Sequence, residues 1–193
     1  MALVAERRDR LSGARGIDTI PILPGAPPVS ELHRTDIMEA TNEQIIRDLN
    51  KLIQVCLDGE LGYRTAVRKV SASKLRTIFA DYAIRRSQFA QELREEVERQ
   101  GGSAEDSGRF VASLHRGWIS LAGSMSHDVG AIVSACETGE DSARGSYEGV
   151  LRSGISGNTR SLVESQWKAI ERAQQEMQHL RNQIATGQHP EKD

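Results

Sequence analysis

The sequence predicts an all-α protein built as a four-helix bundle. Along four long segments, apolar residues recur at alternating steps of three and four, which is the spacing of one face of a helix. Residues that favour helices are plentiful, whereas only 4% of the 193 residues are aromatic. Four of the five prolines lie before residue 41, outside the four segments. Together these observations favour long, uninterrupted helices.

The composition indicates a soluble chain with one full core and a tail. It has 38% hydrophobic residues, 27% charged residues and a net charge of -2. This balance provides no basic surface for nucleic acid or an anionic membrane, and no apolar run is long enough to span a membrane. The N-terminus lacks the apolar stretch of a secretory signal. Both cysteines, Cys56 and Cys136, lie on predicted core faces, so we expect buried thiols in a cytoplasmic protein.

Residues 1–40 are predicted to form a mobile tail rich in proline and glycine. No apolar period persists there. We expect this tail to be either a solvated leader or an arm that docks a protein partner. The bundle is predicted over residues 41–186, and residues 187–193 are predicted to be a disordered C-terminus.

The first two helices have recognisable ends. The segment Thr41-Asn42-Glu43-Gln44 matches a capping box, which places a helix start at Thr41 or Asn42. This helix should continue to about Val70, where Ser71-Ala72-Ser73 interrupts the chain. A second helix is predicted from about Lys74 to Gln100, and Gly101-Gly102 ends it.

A third and a fourth long helix are predicted after a stretch of different character. The segment 110–125 is poor in charge and is expected to form a short helix. The third long helix should start near His127-Asp128, and Gly154 should end it. The apolar row of the fourth helix runs from Val163 to Ile184.

The lengths of the connections predict the topology. Short breaks join the first helix to the second and the third to the fourth, so each pair should form an antiparallel hairpin. Residues 101–127 separate the hairpins and can cross the bundle even if half of them are helical, since a helix rises about 1.5 Å per residue. A long, partly helical crossover between two hairpins is the ferritin-like arrangement. The alternative is a simple up-down-up-down bundle.

Several glutamates fall on or beside the predicted core faces. Glu60 is the only charged member of an apolar row on the first helix, and a lone buried carboxylate is costly unless it is paired, protonated or bound to a metal. Sites with two iron or manganese ions use inward carboxylates of this kind. The candidate ligands of iron or manganese are therefore Glu60, Glu92, Glu137 and Glu140.

The same residues also have an interpretation without metal. A buried ion pair with Arg85 or Arg86 would satisfy Glu60 and Glu137. None of the five histidines falls in the middle of a core-facing row. The fourth helix offers Glu171-Arg172-Ala173-Gln174, with an amide where a di-iron site has an imidazole. The lack of inward histidines argues against an active di-iron centre.

Four motifs occur in an order that resembles a known family. They are Asp58-Gly59-Glu60-Leu61-Gly62-Tyr63, Arg86-Ser87-Gln88-Phe89-Ala90-Gln91-Glu92-Leu93, Leu114-His115-Arg116-Gly117-Trp118, and Glu137-Thr138-Gly139-Glu140-Asp141 with Tyr147 after it. Together they resemble an uncharacterised bacterial family of ferritin-like four-helix bundles, a domain of unknown function common in proteobacteria. The resemblance covers about Asn42 to Arg181. It implies a ferritin-like fold and, by kinship with the wider superfamily, metal binding.

The resemblance also identifies departures in this chain. Relatives often carry an acidic residue at the position of Arg85 and a histidine at that of Gln174. Here a cation and an amide stand at these positions, which weakens a second metal position.

Two functions follow from these residues. The first is a ferritin-like protein that binds iron or manganese and, if redox-active, passes electrons to oxygen or peroxide, with Tyr63 or Tyr147 as radical or hydrogen-bond partner. The alternative is a non-catalytic bundle that forms a homo-oligomer or docks a protein partner. In that case a buried network of carboxylates and arginine remains from a degenerate metal site.

Overall fold

The computed structural model describes residues 29–104 and 128–187, with side chains from residue 42 onward. Within these ranges the chain forms four helices and no strand. They are α1 (Val29–Lys69), α2 (Ser73–Arg99), α3 (Val129–Arg152) and α4 (Gly157–Ala185). The predicted short helix at 110–125 lies outside the described residues. An all-helical protein with four long helices is therefore confirmed.

The chain divides into two compact units, Met1–Ile37 and Met38–Asp193. Of the first unit, the structure describes the backbone of residues 29–37, which is helical. The second unit holds the remainder of α1 and the other three helices.

The start of α1 differs from the prediction. The helix begins at Val29 and continues through Thr41 and Asn42, so the capping box does not mark its start. A capping box marks the start of a helix only where the chain before it is not helical. Between Val29 and Ala40 the sequence contains neither proline nor glycine, so nothing in it interrupts the helix after Pro28.

The end of α1 and both ends of α2 and α3 lie within two residues of the predicted ones. Gly101 follows α2 with φ 77°, and Gly154 follows α3 with φ 89°. These are left-handed conformations that glycine adopts without the steric cost of a Cβ. At the start of α3, the side chain of Asp128 accepts a hydrogen bond from the backbone N–H of Gly130 at 2.9 Å. Connections of a few residues follow α1 and α3.

Two hydrophobic clusters form the core of the second unit. The Phe79 cluster is built around Tyr63, Phe79, Ile132 and Met177, and the Leu52 cluster around Leu49, Leu52, Leu93, Tyr147 and Val163. Each cluster includes side chains from all four helices. Burying a large apolar side chain contributes about 1.5–3 kcal/mol, so both clusters stabilise the association of the helices. Among the described helices, none has the length and apolar character needed to cross a membrane.

A polar candidate site between the two clusters

Buried polar side chains lie between the two hydrophobic clusters. Along α2, Arg86 falls between Ala83 of the Phe79 cluster and Ala90 of the Leu52 cluster. Arg86 is only 3% exposed, and Glu140 on α3 is 2% exposed. Charged groups at such positions need partners, because an isolated buried charge is strongly unfavourable.

Arg86 and Glu140 form a buried ion pair that Tyr63 completes. Arg86 Nη2 donates to Glu140 Oε2, and the hydroxyl of Tyr63 donates to Glu140 Oε1 at 2.7 Å. Burial is the largest single influence and would lower the pKa of Arg86, but the charge and hydrogen bond of Glu140, together with Cys56 and Tyr63, outweigh it and raise that pKa. Burial, followed by the charge of Glu140, raises the pKa of Tyr63 well above its ordinary value. Arg86 therefore stays protonated, and Tyr63 remains a neutral hydroxyl that donates to the carboxylate.

Gly59 on α1 makes room for the arginine. A Cβ placed on Gly59 would lie 3.3 Å from both Cδ and Nε of Arg86. The aliphatic stem of Arg86 therefore lies directly against the backbone of α1. Tyr63, one turn further on, stacks on Tyr82 of α2 with ring centroids 5.3 Å apart. These contacts hold the guanidinium group close to Glu140.

A cleft of about 60 Å³ opens beside the ion pair, between α1 and α3. Arg86, Glu140 and Tyr63 line it together with small residues of the two helices, Gly59, Gly139, Ser142 and Ala143. A water molecule needs about 10–15 Å³ of such a cleft, so the cleft has room for a few water molecules.

A second polar chain connects the core to the surface. The carboxylate of exposed Glu92 accepts from Gln166 Nε2 at 2.7 Å, and Gln166 Oε1 accepts from the hydroxyl of Tyr147 at 2.7 Å. The hydroxyl of Tyr147 lies 3.1 Å from Cys56 Sγ. Burial raises the pKa of the Cys56 thiol, while the charge of Arg86 acts in the opposite direction. All four helices contribute to this chain and the adjoining ion pair.

The four predicted metal ligands each have a partner within the chain. Glu140 accepts from Arg86 and Tyr63, as described above. Both carboxylate oxygens of Glu137 accept from Arg181 Nη1, at 2.9 and 2.7 Å. Glu60, whose side chain is 16% exposed, pairs with Arg64 one turn along the same helix at 2.7 Å. Glu92 accepts from Gln166.

The structure does not gather these carboxylates into one cluster. Within residues 42–104 and 128–187, no three His, Cys, Asp or Glu side chains come together so that they could hold a metal ion. The ion pair suggested for Glu60 and Glu137 with Arg85 or Arg86 does not form: Arg86 is buried, but its partner is Glu140.

Sequence reasoning passed over one motif of the fourth helix, and it placed Gln166 in the apolar row of that helix without giving it a role. The fourth helix does contain one Glu-x-x-His, at Glu176–His179, yet His179 is exposed and Glu176 accepts from the hydroxyl of Tyr82. Gln166 is 1% exposed and central to the polar chain. Its spacing of three from Val163 and four from Ile170 is the signal that places it on the core face.

Comparison with known proteins identifies a family. The family model described as "Domain of unknown function (DUF2383)" matches residues 44–153. The matched stretch contains Arg86 and the four glutamates predicted as metal ligands, and it ends at the start of the connection to α4. No curated protein matches the chain. Because the matched residues make up more than half of the sequence, the chain belongs to the DUF2383 family.

Proposed function

We propose that this chain is a ferritin-like bundle in which a buried arginine takes the place of a metal ion. In this proposal the protein is a non-catalytic bundle with a degenerate metal site. The observation that carries it is the ion pair of Arg86 with Glu140 at the centre of the core. The positive charge that would otherwise come from iron or manganese is supplied by the chain itself.

Contacts along the helices support the ferritin-like part of the proposal. On α1 and α2, Gly59 lies against Arg86 and Tyr63 against Tyr82, so residue numbers rise on one helix as they fall on the other. On α3 and α4, the pairs Tyr147–Gln166 and Glu137–Arg181 have the same opposed order. Both orders are those of antiparallel hairpins.

Contacts between α1 and α3 support the long crossover. Tyr63 bonds to Glu140 and Cys56 to Tyr147, which again is the order of antiparallel neighbours. If α1 is antiparallel to both α2 and α3, then α2 and α3 point in the same direction. The connection between them must in that case return along the bundle, as in the ferritin-like arrangement and unlike a simple up-down-up-down bundle.

The chemistry of the donor set argues against resident iron or manganese. Each oxygen of Glu140 and of Glu137 already accepts a hydrogen bond within the chain, so a metal ion would have to compete with these donors for the carboxylates. A divalent cation near Glu140 would also be repelled by Arg86, because like charges at short range in the interior are costly. The residues present therefore do not fit a metal ion at this position.

Metal analysis separates this proposal from the alternative in which Glu60, Glu92, Glu137 and Glu140 bind iron or manganese. The protein is purified without chelators, incubated anaerobically with Fe²⁺ or with Mn²⁺, desalted and analysed for bound metal. We expect far less than one ion per chain. The matched control is the double variant Glu137→Ala with Glu140→Ala, which should retain the same background. If the wild-type protein binds about one or more ions per chain and the double variant does not, the proposal is wrong, since carboxylate sites bind up to two ions.

A further inference from the structure

The geometry points to a directional chain of hydrogen bonds that holds Cys56 as a protonated thiol. We propose that Gln166 is the positioning residue that sets the direction of this chain, and that exposed Glu92 fixes the orientation of Gln166. The inference goes beyond the proposed function and does not depend on whether metal is bound.

The orientation of the Gln166 amide follows from its two neighbours on α2. An ionised carboxylate can only accept hydrogen bonds, so the amide N–H group must face Glu92. Nε2 also donates to the backbone carbonyl of Phe89 at 3.4 Å, and a carbonyl likewise only accepts. Because both neighbours need a donor, the oxygen of the amide has to point the other way.

The direction of the rest of the chain is then determined. Gln166 Oε1 only accepts, so the hydroxyl of Tyr147 must give its single proton to it. The oxygen of Tyr147 is left as an acceptor toward Cys56 Sγ at 3.1 Å. A thiolate has no proton to donate, and it would place two acceptors against each other. Cys56 fits this position only with its proton.

The charged groups around Cys56 do not by themselves explain a protonated thiol. Arg86 from α2 would favour the thiolate, and Glu140 from α3 would oppose it. Arg86 acts on the pKa of Cys56 more strongly than Glu140, so together the two charges favour the thiolate. Burial is the largest influence and raises the pKa of the Cys56 thiol. The direction of the hydrogen bonds through Gln166 and Tyr147 fits this protonated form.

Two substitutions should affect the thiol in opposite ways. In Gln166→Met, the hydroxyl of Tyr147 no longer has an oxygen to donate to and can turn toward Cys56 Sγ, where it would stabilise the thiolate. In Tyr147→Phe, the hydroxyl that contacts the thiol is lost, so the thiolate gains no new donor. Since the thiolate is the nucleophilic form, the reactivity of Cys56 should follow these changes.

The test measures alkylation of Cys56 by iodoacetamide. The chain has two cysteines, so a Cys136→Ala background leaves Cys56 as the only thiol. Rates are measured by intact mass between pH 6 and 10, together with the free energy of unfolding of each protein. At a fixed pH below the midpoint of the rate-against-pH curve, Gln166→Met should react about tenfold faster than the Cys136→Ala background. This is the change expected if the substitution lowers that midpoint by about one pH unit. Tyr147→Phe should react no faster than the background.

A purely structural role for Gln166 gives a different result. If substitution only loosens the core, both variants should react faster in proportion to their lost stability, and this outcome would overturn the proposal. An unchanged rate in Gln166→Met would overturn it as well. The infrared S–H band of the Cys136→Ala protein provides a test that needs no core substitution. We expect a band at pH 8 that is shifted to lower frequency because the S–H group donates a hydrogen bond to Tyr147. The absence of this band would contradict a protonated thiol.

Discussion

Among the described residues, Arg86 is the one cationic side chain that is buried. It stays there because Glu140 compensates its charge and because Gly59 leaves space for its stem. A buried ion pair of this kind adds little net stability compared with apolar residues, but losing one partner leaves an uncompensated charge. The energetic role of Arg86 should therefore become visible when it alone is removed.

Arg86→Met should lower the free energy of unfolding by about 3–5 kcal/mol, because Glu140 would remain buried without its counter-ion. Urea denaturation at pH 7 measures this loss. The double variant Arg86→Met with Glu140→Leu should recover most of it, since no buried charge is left.

The matched control for this prediction is Arg64→Ala. Arg64 is 61% exposed and pairs with Glu60 on the same helix, so its loss should cost less than about 1 kcal/mol. Equal losses in Arg86→Met and Arg64→Ala would show that the buried pair has no special role.

At the scale of residues, the spacing of apolar positions predicted the burial of Glu137 and Glu140 but not their partners, and it did not predict that Glu92 is exposed and Glu96 buried. Glu137 and Glu140 are both buried, as their place beside the apolar row of α3 indicates. The two are three residues apart and lie on similar sides of the helix. Which of them meets Arg86 depends on the rotation of α2 against α3, and the sequence of one helix contains no information on that rotation.

Two helices are joined at their ends by a buried carboxylate. Glu96 in the last turn of α2 is buried and accepts from the hydroxyl of Thr159 in the first turn of α4. Gln100 Nε2 and Arg99 Nε donate to the same carboxylate, each at 2.8 Å. Burial would raise the pKa of Glu96, but these hydrogen bonds and the charge of Arg99 together lower it below its ordinary value.

Because the pKa of Glu96 is lowered in the folded chain, its ionised form stabilises the fold above the pKa of the unfolded chain, about 4.3. That stabilisation is lost as the pH falls through the lower, folded value. Glu96→Gln should therefore cost about 1–3 kcal/mol at pH 7 and much less at pH 3. Urea denaturation of both proteins at the two pH values measures the difference. A cost that does not change with pH would contradict this account of Glu96.

Glycines within helices should respond differently to alanine depending on what lies beside them. A Cβ at Gly59 would meet Arg86, which the ion pair holds in place, whereas a Cβ at Gly145 would have no atom within 4 Å. Alanine is favoured over glycine in a helix by about 1 kcal/mol. Gly145→Ala should therefore stabilise the protein by up to about that amount.

Gly59→Ala should stabilise the protein less than Gly145→Ala does, or destabilise it, because the contact with Arg86 opposes the gain in helix propensity. Thermal denaturation of the two variants side by side tests this. A stabilisation of equal size in both would mean that α1 and α2 do not approach each other closely at Gly59.

At the scale of elements, helix ends marked by glycine were predictable and the start of α1 was not. Gly101 and Gly154 adopt left-handed conformations that few other residues tolerate, so their effect is local and can be recognised in the sequence. A capping box is also a local signal, but at Thr41 the chain before it continues the helix. The start of α1 depends on the segment between Val29 and Ala40, which contains no residue that breaks a helix.

For the whole molecule, the two hydrophobic clusters should unfold together. Each of the four helices contributes side chains to both clusters and to the polar layer between them. A helix cannot leave one cluster without disturbing the other, so we expect a single cooperative transition.

Core substitutions in either cluster test this expectation. Phe79→Ala should cost about 3–5 kcal/mol and Leu52→Ala about 2–5 kcal/mol. In both variants, unfolding followed by circular dichroism and by tryptophan fluorescence should coincide. Two separated transitions in either variant would show that the clusters are independent.

The four long helices of the described residues were predictable from the sequence, while the chemistry between them was not. Four long helices follow from periodicity, which reports the burial of each helix separately. The partners of Glu140 come from α1 and α2, and those of Glu137 from α4. Such pairings arise only when the helices pack, so they required the structure.

The contact between Gly59 and Arg86 also has an evolutionary consequence. The stem of Arg86 occupies the space that a side chain at position 59 would need, so the two positions are constrained as a pair. Members of the DUF2383 family that have a shorter residue in place of Arg86 are free to carry a larger one in place of Gly59. An alignment of the family should therefore show correlated changes at these two positions, with the position of Glu140 varying alongside them.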